Sequence, residues 1–406
     1  MGTSISTPVV EFKNVDIMFG NNPTAALPLL DAGENRDSIQ EKTGNILGVA
    51  GASIAIEEGE ICVLMGLSGS GKSTLLRAVN GLNKVTRGEV LVSDGGERID
   101  VTSCDAATLR RLRMHRIAMV FQQFALLPWR TVHENVGFGL ELQGMPKTER
   151  DVIVAEKLEM VGLDRWKDKY GHELSGGMQQ RVGLARAFAT DADILLMDEP
   201  FSALDPLIRD HLQDELLELQ HRLKKTIIFV SHDLDEALKI GTHIAIMEGG
   251  RIVQYGEPEE IVLNPANEYV AEFVAHMNPI NVLRGESLMT PLDQLPRDDA
   301  DFILDPQGYF RARLDAQGGL QQVICGGTAA VLTPYAEGMS METLKDGMLI
   351  TAPLSISMRA AIEIRKATGC PVVLSDAGRV MGVVGDEEIY KGILRQASLA
   401  DQQSAS

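Results

Sequence analysis

The chain has 406 residues. This is too long for a single small hydrophobic core, and a prior of about 150 residues per domain predicts two or three folding units. Its composition, 44% hydrophobic and 23% charged, is that of an ordinary soluble globular protein and excludes a disordered or fibrous class. The formal net charge of −19 argues against nucleic acid as a partner, because binding to a phosphate backbone needs a clustered Lys and Arg surface.

Apolar runs in the sequence stay well short of the roughly 20 residues that span a bilayer, and the N-terminus shows no signal-peptide pattern. We therefore expect the chain to stay in the cytosol and to reach a membrane only through a partner. The four cysteines, Cys62, Cys104, Cys325 and Cys370, lack metal-ligand spacing and are expected to act as small hydrophobic core residues.

Strand signals alternate with helical ones through the first part of the chain, which predicts an α/β layer fold. Val9–Val15 is predicted as an edge strand. The other predicted strands are Ala52–Ile56, Ile61–Met65, Glu89–Val92, Ile117–Phe121, Ile194–Met197, Thr226–Val230 and His243–Met247. Strand signals stop between about residues 124 and 189, where Val132–Leu142, Glu149–Val161 and Gly177–Phe188 suit helices, so a helical subdomain is predicted as an insertion.

A glycine-rich run follows the apolar strand Ile61–Met65 and opens a helix. It fits the phosphate-loop pattern and consists of Gly66, Leu67, Ser68, Gly69, Ser70, Gly71, Lys72 and Ser73. Its glycines let backbone N–H groups face phosphates, and the helix N-terminus adds a favourable dipole. Lys72 is expected to reach the β- and γ-phosphates of ATP, Ser73 to bind Mg²⁺, and Thr74 to touch the α-phosphate.

Two carboxylates, Asp198 and Glu199, end the apolar strand that begins at Ile194. Ligands of open α/β sheets collect at this edge of the sheet. Asp198 is expected to hold Mg²⁺ through water, and Glu199 to polarise the attacking water in phosphoryl transfer. The predicted reaction is therefore ATP hydrolysis.

The run Leu174–Arg181 carries the sequence Leu-Ser-Gly-Gly-Met-Gln-Gln-Arg, and with the motifs above it resembles the ATP-binding subunit of an ABC transporter over residues 9 to 275. The resemblance implies a P-loop NTPase cassette, with a RecA-like core and an inserted helical subdomain. It identifies Gln122 as the Q-loop residue that contacts Mg²⁺ and the attacking water, Asp205 as part of the D-loop, and His232 as the switch residue at the γ-phosphate. Phe19 is the candidate for stacking on adenine, with a role in the core as the alternative.

The same resemblance implies a homodimer in which Ser175, Gly176 and Gly177 of one subunit close over the ATP held by the other. It also implies integral membrane permease subunits, a periplasmic or extracellular substrate-binding protein, and a peripheral position at the cytoplasmic face of the cell membrane. We expect the permease to contact the surface around Gln122 to Asn135, with Phe124, Leu126, Leu127 and Trp129 supplying apolar side chains. The alternative for these side chains is packing of the hinge.

Two features resemble importers of glycine betaine, proline betaine and choline. One is an insertion over residues 21–48. The other is the segment 353–394, which resembles one CBS repeat, with the partner repeat expected within 301–346. Gly385 stands where a ribose-binding threonine is usual and Glu388 where an acid is usual, so a structural or dimer-stabilising module and a nucleotide or ionic-strength sensor both stay open.

These patterns predict an ATP-binding domain over 1–275, a linker over 276–300, a degenerate α+β CBS-like regulatory domain over 301–396 and a flexible tail over 397–406. The predicted function is the ATP-hydrolysing subunit of a bacterial importer of quaternary ammonium compounds. The alternatives are the ATPase of another importer or exporter, or a soluble ABC ATPase.

Overall fold

The computed structural model describes residues 7–122, 125–275, 278, 280, 282–330, 332–336 and 339–393. It contains two compact units, Met1–Ile261 and Val262–Ser406. Within the described part of the chain, no helix combines the length and the apolar character that a membrane span needs. The predicted tail over 397–406 lies outside the described residues.

The first unit is an α/β structure, as predicted. Its strands are Val10–Phe19, Ile46–Ile56, Ile61–Met65, Arg87–Asp94, Glu97–Asp100, Ile117–Val120, Ile194–Asp198, Thr226–Val230, His243–Glu248 and Arg251–Gly256. Its α-helices are Leu27–Asp31, Arg36–Thr43, Lys72–Leu76, Ala106–Arg111, Val132–Val136, Phe138–Leu142, Lys147–Met160, Gly176–Ala189, Pro206–Leu223 and Leu234–Ile240, and Pro258–Leu263 carries the boundary between the units.

A six-stranded sheet forms the centre of this unit. Ile61–Met65 lies between His243–Glu248 and Thr226–Val230, and Ile194–Asp198 and Ile117–Val120 follow in that order. These five strands are parallel, and only Arg251–Gly256 at the edge is antiparallel. Their near-continuous apolar sequences suit a parallel sheet whose two faces are both covered. The carboxyl ends of the strands therefore meet at one edge, where the predicted motifs follow them.

A second sheet has four antiparallel strands, and the prediction of an edge strand at Val9–Val15 is wrong. Val10–Phe19 pairs with Ile46–Ile56 on one side and with Arg87–Asp94 on the other. Its inward residues, among them Phe12 and Ile17, are buried in a core shared with the six-stranded sheet. Alternating hydrophobicity reports which face of a strand is buried, but it does not show whether the strand has one neighbour or two.

The insertion over residues 21–48 is folded. Its helices pack through an apolar cluster formed by Met18, Ala26, Leu30, Ile39, Leu47 and Ala50. Arg87 joins the insertion to the sheet, because its guanidinium donates to the buried Asp16 at 2.6 Å and to Asp31 of the insertion at 2.7 Å. These contacts fix the helix Arg36–Thr43, which Asn35 caps by accepting from the backbone N–H of Ser38.

Helices dominate the described residues between 125 and 189. Among these described residues, the one extended pairing is a bridge between Thr131 and Tyr170. The segment predicted as one helix over Val132–Leu142 is two short helices that meet at Gly137. In the later helix Pro206–Leu223, Leu212 and Leu216 lie four residues apart and are both buried. Phe124, at the start of the predicted subdomain, lies outside the described residues.

The second unit contains two five-stranded sheets. One is mixed and is formed by Thr290–Pro291, Leu332–Pro334, Leu349–Pro353, Val372–Asp376 and Arg379–Val384, with the helices Gly285–Leu288, Met358–Thr368 and 386–393. The other is fully antiparallel and is formed by Arg297–Asp298, Asp301–Ile303, Phe310–Leu314, Leu320–Cys325 and Thr328–Ala329. Helix Glu268–Val274 precedes both.

Residues 358–393 contain the helix Met358–Thr368, the strands Val372–Asp376 and Arg379–Val384 and a closing helix over 386–393, and their resemblance to one CBS repeat stays a prediction. Residues 301–346 differ from the expectation of a partner repeat, because their described part holds the antiparallel strands and no α-helix. Phe302, Phe310 and Val323 of those strands pack on Val373 and Val383 of the mixed sheet. An antiparallel sheet is therefore found in the segment where the partner CBS-like repeat was predicted.

The segment 276–300 also differs from the predicted linker. Gly285 donates its N–H to the carbonyl of Ile356 at 2.7 Å, and Thr290–Pro291 pairs with Val383 and Gly382. Pro291 indicated a linker in the sequence, yet it occupies an edge strand, where proline is tolerated. The second unit therefore includes residues of the segment 276–300, which was predicted as a linker.

Candidate functional site

A cleft of about 490 Å³ lies in the first unit at the carboxyl edge of the six-stranded sheet. Ten of its lining residues were predicted as site residues, namely Phe19, Ser68, Gly69, Gly71, Lys72, Ser73, Thr74, Gln122, Glu199 and His232. Arg36 and Gly48 line it as well and were not predicted. Each predicted residue follows or ends a strand, so the topology alone brings together side chains that lie far apart in sequence.

The phosphate loop is close to neighbouring backbone at two of its glycines. At Gly66, with φ +138°, a Cβ atom would lie 2.1 Å from the Met247 carbonyl oxygen. At Gly71, with φ +103°, it would lie 2.4 Å from the carbonyl oxygen of Gly48. Only glycine can adopt these positive φ angles and also lie this close to the neighbouring carbonyl oxygens. Helix Lys72–Leu76 starts directly after the loop, so its free N–H groups face the cleft.

Lys72 lies at the base of the cleft and is only 6% exposed. Its ammonium donates to the carbonyl oxygens of Gly66 and Leu67, at 2.8 and 2.9 Å. Burial lowers the pKa of Lys72, while Glu199 and Asp198 oppose that shift. A partly desolvated cation beside a ring of backbone N–H groups suits an anionic ligand such as a phosphate chain.

Asp198 is fully buried at the end of its strand. One carboxylate oxygen accepts from the Ser73 hydroxyl at 2.7 Å, and the other accepts from the Arg77 guanidinium at 2.7 and 3.1 Å. A hydroxyl and a carboxylate both offer oxygen atoms as metal ligands, and this pair suits Mg²⁺. This ion usually takes one or two protein ligands together with waters and phosphate oxygens. The described residues offer no cluster of three or more His, Cys, Asp or Glu side chains, so they fit a shared ion rather than a full protein cage.

Glu199 follows Asp198 in a left-handed backbone conformation, with φ +49°. Such a conformation is uncommon outside glycine, and it is typical of sites where the surrounding structure fixes a side chain. The Gln122 amide donates to the Glu199 carboxylate at 3.1 Å, and His232 Nδ1 lies 3.6 Å from the same oxygen. Two side chains that follow other strands, Gln122 and His232, thus converge on one oxygen atom of Glu199.

The buried Gln180 connects the helix that starts at Gly176 to this catalytic region. Its amide donates to the Glu199 carbonyl at 3.1 Å, and its carbonyl accepts from the Ala203 backbone at 3.2 Å. Ser175 caps the same helix by accepting from Met178. Gln180 belongs to the run Leu174–Arg181, but the sequence does not predict a role for it, because its two partners become neighbours only in the fold.

The sequence model of the family described as "ABC transporter" matches residues 49–202. The chain is similar to the glycine betaine/proline betaine transport system ATP-binding protein ProV of Escherichia coli (strain K12), with 43% identity over 404 residues and 96% of each chain covered. The glycine betaine/carnitine transport ATP-binding protein GbuA of Listeria monocytogenes serotype 1/2a (strain 10403S) is 50% identical over 280 residues, covering 69% of this chain and 70% of the relative.

The chain belongs to the ATP-binding subunits of ABC transporters. Among solved structures, the ATP-binding cassette MJ0796 in a dimeric post-hydrolysis state bound to ADP and Pi is 32% identical, with a TM-score of 0.53. That match covers 61% of this chain and 98% of the other. The prediction of an ABC cassette is confirmed, and the cleft, which holds the phosphate loop, is the candidate ATP site.

Gly66 and Ser70 of the phosphate loop are not among the residues that line the cleft, and four predicted nucleotide-binding residues outside the loop do not line it either. These four are Ser175, Gly176, Gly177 and Asp205. Gly177 lies instead against the loop after Glu199, where a Cβ would be 3.1 Å from the Ala203 carbonyl oxygen. Their proposed contact with ATP stays a prediction that needs a second subunit.

Phe19 ends its strand with 41% of its surface exposed and lines the cleft, so the alternative of a core role is wrong. Gly48 lies beside it, and a Cβ at Gly48 would approach the Phe19 ring to 2.8 Å and the Thr74 methyl to 3.0 Å. A larger residue at position 48 would therefore fill the part of the cleft that borders Phe19. Stacking of Phe19 on adenine stays a prediction.

Arg36 comes from the insertion, and its guanidinium donates to the Gly69 carbonyl at 2.7 Å while lining the ATP cleft. Arg36→Ala is expected to raise the KM for ATP about two- to tenfold, because one hydrogen-bonding cation is lost beside the phosphate loop. Steady-state ATPase kinetics measure this change. The matched control is Lys42→Ala in the same helix, whose ammonium contacts Glu34 instead of the cleft. An equal rise in both variants would assign the effect to folding of the insertion.

Proposed function

We propose that this ABC ATPase drives a bacterial importer of quaternary ammonium compounds such as glycine betaine or choline. The supporting observation is the match to ProV, which extends over 96% of both chains and so includes the insertion and the second unit. The substrate-binding residues of such a system belong to other subunits. The cargo is therefore inferred from what distinguishes this cassette from a minimal one.

In the proposed reaction the phosphate loop and Lys72 would hold the phosphates of ATP, while Ser73, Asp198 and Gln122 would hold Mg²⁺. A bound Mg²⁺ would neutralise charge on the phosphates. Glu199 accepts a proton from the attacking water, and Gln122, 3.1 Å away, orients the Glu199 carboxylate. His232 is 64% exposed and lies at the mouth of the site, where it is placed to contact the γ-phosphate.

The proposed active form is a homodimer. Ser175 and the N-terminus of the helix Gly176–Ala189 present a hydroxyl and backbone N–H groups that suit phosphate oxygens, yet they do not line this chain's own cleft. Supplying them to the cleft of a second copy would complete both sites. ATP binding would then close the dimer, and hydrolysis would release it.

The proposed partners are integral membrane permease subunits and an external substrate-binding protein, which place this subunit at the cytoplasmic face of the membrane. The contact surface is the loop before helix Val132–Val136. Asn135 orders this loop by accepting from the N–H of Leu127 and donating to the carbonyls of Leu127 and Arg130. Trp129 projects from it with 71% exposure, so the loop presents a large apolar side chain on an ordered backbone.

Uptake of labelled choline and glycine betaine tests the proposal in cells that lack this chain but contain its membrane partners. The native chain should restore uptake of at least one of the two solutes, and Glu199→Gln should restore neither, because it removes the carboxylate proposed to activate water. Immunoblotting checks that both proteins accumulate equally. Uptake that stays at background with the native chain would refute the cargo class and leave the assignment as an ABC ATPase intact.

A further inference from the structure

The second unit contains a cavity of about 670 Å³ that has no part in ATP binding. It lies where the antiparallel sheet packs on the mixed sheet, and Leu295, Ile303, Leu304 and Val383 form apolar parts of its wall. Small-molecule sites typically measure about 300–1,000 Å³ and combine apolar walls with a few polar groups. The size and lining of this cavity match such a site.

Aromatic rings form one side of the cavity. Tyr309 and Phe310 meet edge to face with ring centroids 5.1 Å apart, and both line the space. Phe310 is anchored in the core, while Tyr309 is 54% exposed. Gly326 lies directly against the Tyr309 ring, where a Cβ would come within 2.7 Å, so this glycine lets the ring hold its position. Aromatic rings therefore form part of the cavity wall.

The polar lining is anionic. It includes four carboxylates, Asp305, Asp386, Glu387 and Glu388, against the single guanidinium of Arg365. Arg365 is paired with Asp386 at 2.9 Å and Lys391 lies 3.8 Å from Glu387, which leaves Asp305 and Glu388 as the lining carboxylates that are not paired with these two cations. Phosphate groups would be repelled here, and the positive end of the helix over 386–393 is already balanced by its own acidic residues. The charge favours a cation.

Hydrogen bonding within the wall restricts which cation fits. Both oxygens of Glu388 are occupied, one by the Gly385 N–H at 2.8 Å and the other by the Thr290 hydroxyl at 2.6 Å. Asp305 accepts from the Phe310 N–H at 2.6 Å. A cation with several N–H donors would need free acceptors to replace its water. A fully methylated, quaternary ammonium has no N–H donors and binds through charge and contact with aromatic faces.

We infer that this cavity binds a small organic cation that carries a methylated ammonium group. The inference rests on the lining of the second unit and does not depend on which solute is transported. Such a site would give the cytosolic subunit a direct contact with accumulated quaternary ammonium compounds.

Isothermal titration calorimetry of the full chain with choline chloride and with tetramethylammonium chloride tests this inference, with sodium chloride at equal ionic strength as the blank. Both cations should bind at one site per chain, and AMP should not compete. Tyr309→Leu should weaken binding about five- to thirtyfold through loss of the ring face. The double variant Asp305→Asn, Glu387→Gln should weaken it by at least a similar factor, and circular dichroism confirms that each variant is folded.

Glu363→Gln is the matched control, because it removes one exposed carboxylate from the same unit outside the cavity. Its affinity should stay within about twofold of the native value if local contacts carry the binding. Absence of binding by both cations would overturn the inference, as would equal weakening by Glu363→Gln or AMP binding that depends on Tyr309. None of these results would bear on the uptake experiment, which reports the cargo independently.

Discussion

Replacement of Glu199 by glutamine should lower the rate of ATP hydrolysis about 10²- to 10⁴-fold, the range expected when a general base is removed. Gln122 and His232 both converge on one oxygen of this carboxylate, at 3.1 and 3.6 Å. Glutamine keeps the shape of the side chain and still offers an oxygen to Gln122, but it cannot accept a proton from water. Binding of ATP should therefore persist while its hydrolysis stops.

The measurement is ATP turnover together with the equilibrium dissociation constant for ATP. In the presence of ATP the variant should also elute as a stable dimer in size-exclusion chromatography, because the proposed closed state is no longer released by hydrolysis. Glu89→Gln is the matched control, since it makes the same change on an exposed part of the first unit, and it should retain native turnover. Turnover of Glu199→Gln within about threefold of native would assign water activation to another group.

The ATP site was largely predictable because each motif is local in sequence and each follows a strand. Apolar runs such as Ile61–Met65 and Thr226–Val230 have the observed bounds, and parallel strands in one sheet place their carboxyl ends at one edge. Lys72, Glu199 and His232 then meet in one cleft through topology alone. No detail of side-chain packing is needed to bring them near one another.

Arg36 and Gln180 could not be predicted because their roles depend on contacts distant in sequence. Arg36 is one basic residue at the start of a short helix, and its position over Gly69 depends on how the insertion packs. Gln180 is buried between Glu199 and Ala203, residues that approach it only after the sheet and helices have assembled. A single sequence carries no signal for either contact.

In the second unit, whole strands could not be predicted, because they too depend on contacts distant in sequence. The helix Met358–Thr368 and the strands after it lie in the segment 353–394, where an amphipathic run and two apolar runs follow one another in the sequence. The strands between Asp301 and Cys325 are short, and several of their residues are exposed or charged, as in Phe310–Leu314. Their stability comes from cross-strand pairing and from packing on the mixed sheet, neither of which leaves a periodic pattern in the sequence.

Replacement of Lys72 by methionine should weaken ATP binding about 10- to 100-fold. The ammonium is held in the phosphate loop by two backbone carbonyls, and burial lowers its pKa, so it is already partly desolvated before a phosphate arrives. A hydrogen bond to a charged group contributes about 1.5–3 kcal/mol, which sets this range. Methionine keeps the length of the side chain without the charge. Lys84→Met makes the same change at an exposed position outside the cleft and should bind ATP like the native chain.

Thermal unfolding with and without ATP separates this loss of binding from a loss of folding. At an ATP concentration 100 times the native dissociation constant, binding should stabilise the native chain by about 2.7 kcal/mol. A variant with 100-fold weaker binding would gain only about 0.4 kcal/mol at that concentration. Without ATP, the two should unfold at similar temperatures, because the lost hydrogen bonds to Gly66 and Leu67 are offset by the removal of a buried charge. Equal stabilisation of both proteins by ATP would show that the phosphates are held by the backbone of the loop alone.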